Sequence, residues 1–144
     1  MTPLAAGEFR RTTLERSDQQ ASWERPDQAF FAAGACHILA WACRDVYASH
    51  DIELGALRRP DQPQVFHTFA TWGWYAFDHA GWNLESELVE ANAAYEKGPV
   101  SRVAIDGSLA DFCGAQAHRM PHEFWADPMP RARAYVARFR PPWS

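Results

Sequence analysis

The chain has 144 residues, 47% hydrophobic and 14% aromatic, with seven tryptophans and a net charge of −4. At that length it reads as one domain able to bury about 70% of its unfolded surface, and the composition excludes a disordered protein. The acidic balance leaves no basic footprint for nucleic acid, and no apolar run approaches the ~20 residues of a membrane helix. Three cysteines (Cys36, Cys43 and Cys113) without disulfide-framework spacing fit a reducing compartment. The opening MTPLAAGEFRRTT lacks the apolar stretch of a signal peptide, so the expectation is a cytoplasmic protein with neither nucleic acid nor membrane as partner.

Residues 1–25 are polar and mixed in charge and read as a lead-in arm; residues 26–144 read as a single domain. Pro26 and Asp27 open a short helical turn through FFAA, which Gly34 interrupts. From Ala35 to about Ser49 the pattern is helical, with Cys36, Leu39, Ala40, Cys43, Val46 and Tyr47 on one face. Ile38, Trp41 and Ala42 extend the apolar surface, and a helix apolar on most sides belongs at the centre of its domain. The period then changes to two. Residues 52–57 read as a strand closed by PDQP, and residues 64–80 as a hairpin. Asn83 is the expected N-cap of a helix over 84–96, stopped by Gly98-Pro99. Val103 and Ile105 suggest a short fourth strand. Ser108 and Asp111 form a capping box for a helix over 109–119, and Pro130 starts a last helix. This order predicts an α+β domain: a central helix on an antiparallel sheet of three or four strands, with helices appended on the C-terminal side.

The hairpin VFHTFATWGWYAFDH carries histidine on one arm and aspartate on the other. A two-residue turn at Trp72-Gly73 would place His67 directly opposite Asp78, their Cβ atoms ~5 Å apart. GACH puts Cys36 in the first turn of the central helix, where the helix N-terminus and a neighbouring imidazolium both favour a thiolate. Cys36, His67 and Asp78 therefore make a nucleophile, base and orienter set. The Cys36 backbone N–H would serve as a first oxyanion donor.

A cysteine on the first turn of a buried helix, followed by histidine and aspartate on successive antiparallel strands, resembles the papain-like and transglutaminase-like cysteine enzymes. The likeness spans about residues 30–82 and rests on GACHILAWA, VFHTF and WYAFDHAGW. It implies a hydrolase or acyltransferase acting on a small-molecule or peptide amide or thioester without a metal or cofactor, with Cys36 as nucleophile, His67 as base and Asp78 as orienter. The chain departs from that pattern at His37, where an aromatic residue often follows the cysteine. It departs again at Phe30, where papain relatives carry the oxyanion glutamine; Gln28 stands two residues further back as a substitute.

Other readings of the same residues stay open. Cys36 lies on the apolar stripe with Cys43, and free cysteine is among the most buried residue types. The His67–Asp78 pair also fits a structural role, and alternation puts His79 on the opposite face from Asp78, at a surface or interface. Cys36, His67, His79, His118 and His122 are of metal-ligand type, but Pro121 breaks the HRMPH span and no C-x-x-C pair exists, so no metal is expected. Trp72 and Trp74 are most simply packing residues of a two-sided sheet; in the sharper reading they are walls of a substrate groove, or a surface for a partner or a second copy of the chain. In that last reading the protein is a non-enzymatic module of the same fold.

Overall fold

Apolar side chains on nearly every side make Cys36–Val46 (α4) the centre of the computed structural model, with an unbroken run from Cys36 to Cys43 buried. The structure describes residues 9–144; positions 1–8 of the expected arm lie outside the described residues. Ile38 and Leu39 are fully enclosed, and burying an aliphatic side chain of that size contributes about 1.5–3 kcal/mol. Ala35, the N-cap residue, has no side chain able to accept from the first turn, so the leading N–H groups of α4 lack a side-chain cap.

The sheet has five strands: β1 (Glu53–Arg58), β2 (Val65–Trp72), β3 (Tyr75–Asp78), β4 (Gly81–Leu84) and β5 (Ser101–Ile105). They lie in the order β4-β3-β2-β1-β5, and every neighbouring pair is antiparallel. The α+β expectation holds, with one strand more than expected. The addition is β4, which follows β3 after the two-residue turn His79-Ala80. Asn83 is consequently buried in a strand, donating from Nδ2 to the Ala80 carbonyl at 3.4 Å, and Leu84 replaces it as N-cap of the helix Glu85–Glu96 (α5).

α4 packs on one face of the sheet through Leu54, Ala56, Ala70 and Phe77, while Leu57, Phe69 and Ala76 pack with Leu88 of α5. The Ser108–Asp111 capping box starts the helix Leu109–Gln116 (α6), as its spacing predicted. The last helix, Met129–Val136 (α7), buries Ala132, Tyr135 and Val136.

The segment 9–25 contains two short helices, Thr13–Ser17 (α1) and Gln19–Trp23 (α2), and is followed by Asp27–Ala32 (α3). Arg131 of α7 ties this region down. It donates to Asp27 Oδ1 at 2.6 Å and to the carbonyls of Trp23 and Arg25 at 2.8 Å each, and its guanidinium lies 4.2 Å from the Phe30 ring centre. Charge-assisted bonds of this kind are worth about 1.5–3 kcal/mol each. Among the described residues no helix is long and apolar enough to cross a membrane.

Candidate functional site

The β2–β3 hairpin sets the site, and its register differs from the expectation. Ala70 faces Phe77, Thr71 faces Ala76 and Trp72 faces Tyr75, so the turn is Gly73-Trp74 rather than Trp72-Gly73. The physical reason is turn chemistry. Gly73 has φ +57, and a tight hairpin turn of the II′ kind needs glycine at its first central position. By that register Phe69, not His67, lies opposite Asp78. The shift is two residues, however, and strand side chains repeat every two, so His67 and Asp78 stay on one face as diagonal neighbours. Their side chains meet: His67 Nε2 is 2.9 Å from Asp78 Oδ2, with His67 5% and Asp78 4% exposed.

Asp78 divides its two oxygens between structure and site. Oδ1 accepts from the Ala80 backbone N–H at 2.8 Å, an Asx-type turn that fixes the carboxylate, while Oδ2 faces His67. That turn also overturns the expectation for His79. β3 ends at Asp78, so alternation no longer applies, and His79 is buried with Nδ1 3.7 Å from Asp78 Oδ2 and its ring edge-on to His67 at 5.8 Å. Tyr135 of α7 clamps the same turn by donating its hydroxyl to the His79 carbonyl.

Cys36 enters from the start of α4 and is buried, with 6% of its surface exposed. With His67 Nε2 committed to Asp78, Nδ1 is the nitrogen left for the sulfur. Burial works against a thiolate, but hydrogen bonding and charge from His37 and His67 outweigh it and bring the Cys36 thiol well below its ordinary value. His67 moves the opposite way. Burial would lower it, yet Asp78 and Cys36 together push it up to about 10. Asp78 in turn resists burial and is held below the usual carboxylate range by His79, His67 and the Ala80 N–H. These directions describe a thiolate–imidazolium pair backed by a carboxylate. His37, a departure from the expected pattern, takes part. It is fully buried, its Nε2 lies 2.8 Å from the Arg119 carbonyl, and against its burial the neighbouring Cys113 and Cys36 together with that carbonyl push it up to about 9.

Cys36 and His67 open onto one cleft of about 440 Å³. Its walls are Arg11 and Arg16 of the N-terminal segment, Glu96 of α5, and His118 and Arg119 after α6. Apart from His118, raised only as a residue of metal-ligand type, none of these was expected as part of the site, although FRRTTLER, three arginines against one glutamate, was a visible signal. The expected substrate walls lie elsewhere. Trp72 packs edge-on to Trp143 at 5.1 Å, Trp74 is 85% exposed at the hairpin tip, and neither lines the cleft. Gln28, the suggested oxyanion substitute, donates to the His79 carbonyl at 3.5 Å and also stands outside it.

Among the described residues one cluster has metal-ligand geometry, His67, Asp78 and His79, whose ligand atoms lie within 4.8 Å of one another. His118 bonds the Gln116 carbonyl through Nδ1 at 2.8 Å, and neither it nor His122 joins the cluster. Comparison with protein-family models, curated proteins and solved structures finds no match to this chain.

Proposed function

We propose that this protein is a cysteine hydrolase or acyltransferase acting on an amide or thioester. The observation that carries the reading is that Cys36 and His67 open onto a single cleft while Asp78, behind His67, bonds its Nε2 at 2.9 Å. The Cys36 thiolate attacks the carbonyl carbon, forming the S–C bond, and the oxygen that becomes negative meets the uncapped first-turn N–H groups of α4. As the C–N or C–S bond breaks, the imidazolium of His67 gives its proton to the leaving group. Water or a second nucleophile then loses a proton to His67 and attacks the thioester, releasing Cys36 as thiolate. Asp78 holds the ring and stabilises its cationic form throughout. In this reading the chain is a small relative of the papain-like and transglutaminase-like enzymes, whose order of cysteine, histidine and aspartate it shares.

A second reading has Trp74 in its favour: a tryptophan 85% exposed at a hairpin tip suits a binding module in which the three residues are only packed. One experiment separates the two. The rate of iodoacetamide labelling at Cys36 is followed against pH by peptide mass spectrometry, in the native protein and in His67→Ala. Labelling that persists well below the free thiol value of ~8.5, and that His67→Ala slows, is expected of the enzyme. A Cys36 that labels only after unfolding would end the enzymatic reading.

A further inference from the structure

The arginines around the cleft are not equally matched by carboxylates. Arg10 and Arg59 converge on Glu96 Oε1, at 2.9 and 2.5 Å. Arg11, Arg16 and Arg119 line the same cleft and, among the described residues, form no ion pair. Glu15, adjacent to Arg16 in sequence, is used otherwise. It accepts from the Thr12 N–H at 2.8 Å in the capping box of α1 and lies 3.4 Å from Arg25. Arg119 is steadied by a neutral group, the Gln19 amide oxygen, at 2.7 Å from Nε and 3.0 Å from Nη2 in the amide orientation that satisfies both.

Arg11 stands closest to the chemistry. Its guanidinium lies over Gly34, two residues before Cys36, so near that a Cβ there would meet the guanidinium carbon and Nη1 at 3.0 Å. Gly34 also has φ +97, a backbone conformation that favours glycine. Arg11 Nη1 is buried without a hydrogen-bond partner. Burial and then the charges of Arg119, Arg16 and Arg25 pull its pKa down, while Cys36 acts the other way. A chain of net charge −4 thus concentrates three unmatched cations beside its nucleophile, against the single negative charge of one thiolate. Arg25 Nη1 and Arg58 Nε are also buried without a partner, but of the three arginines only Arg11 lines the cleft, where an external acceptor can reach it.

We propose that Arg11, Arg16 and Arg119 form an oxyanion-binding subsite, so that the substrate is an acyl compound carrying a carboxylate or phosphate close to its scissile bond. The word substrate rests on the reaction proposed above; the anion site itself does not. Guanidinium groups suit this task because their planar forks take carboxylate or phosphate oxygens in pairs.

The test compares two alkylating reagents at Cys36, iodoacetate (anionic) and iodoacetamide (neutral). Both form the same S–C bond and release iodide, so the ratio of their rates cancels the thiolate fraction and reads the charge around the thiol; the imidazolium of His67 contributes to it, and the part lost in the arginine variants is the share of the subsite. The ratio is expected to exceed that of a free thiol such as N-acetylcysteine by about tenfold or more, and to fall with added salt. It should drop towards the free-thiol ratio in Arg11→Gln and Arg119→Gln. Competition at constant ionic strength, with inorganic phosphate in one arm and acetate in the other, tells which anion the subsite prefers. A native ratio equal to that of the free thiol would overturn the proposal, whether or not the variants fold. Should Cys36 react with neither reagent, the enzymatic reading fails but the subsite is still decided by titrating inorganic phosphate into Cys36→Ala by calorimetry. Binding that Arg16→Gln or Arg119→Gln weakens supports the subsite without any thiolate; absence of binding refutes it.

Discussion

Replacing Asp78 by Asn tests the electrostatic arrangement at its most buried point. Asn keeps the shape and a side-chain oxygen for the Ala80 N–H, but removes the charge 2.9 Å from His67 Nε2. Two unit charges about 4 Å apart attract by about 4 kcal/mol at an effective dielectric of ~20. At 1.36 kcal/mol per pKa unit, an upper estimate of the loss is about three units from the value of about 10 that His67 reaches. The Cys36 thiol, held down in part by that imidazolium, must rise with it. Iodoacetamide labelling of Asp78→Asn at about pH 6 is therefore expected to slow by about 100-fold, while at about pH 9.5, where thiolate is abundant in any case, the deficit shrinks to several-fold. Far-UV circular dichroism confirms that the variant is folded. A variant as reactive as the native protein at low pH, or one equally slow at both, would refute the reasoning, since only a charge effect varies with pH in this way.

Further outcomes follow from the same geometry. His67 and His37 are held up at about 10 and about 9, so the stability each contributes is complete below its ordinary 6.5 and is lost as pH rises through those values. Cys36, held low, works in the opposite sense over the same window, which leaves a net uptake of one proton on folding. The unfolding free energy should then fall by up to about 1.4 kcal/mol per pH unit between about pH 6.5 and 9, measured by urea titration; a flat or rising profile contradicts the assigned charges. Tyr135→Phe removes the buried hydroxyl that clamps the His79 carbonyl and should cost about 1–3 kcal/mol, seen as a lower urea midpoint at unchanged slope. Zinc should compete for the His67, Asp78 and His79 cluster. Micromolar Zn²⁺ is expected to slow Cys36 labelling, EDTA to restore it, and His79→Ala to blunt the effect; insensitivity to zinc would show that the His67–Asp78 bond excludes the ion.

The parts of this protein legible in the sequence are those decided by neighbours along the chain. The apolar surround of α4, the alternation of β1 to β3, the Ser108–Asp111 cap and the proline that opens α7 are local facts, and each element formed where they pointed. The pairing of His67 with Asp78 was legible for the same reason: period two sets the face, and a register shift of two leaves it unchanged. Tertiary structure decided what adjacency cannot. Turn geometry moved the loop to Gly73-Trp74, added β4 and carried His79 round to the side of Asp78. Long-range packing brought residues 11, 16 and 119 into one wall above Cys36. Arg11 and Arg16 share one short window, but Arg119 stands about a hundred residues away, and no window of neighbouring residues registers that it joins them. Only the closed fold sets their distance, and with it the field at the thiol.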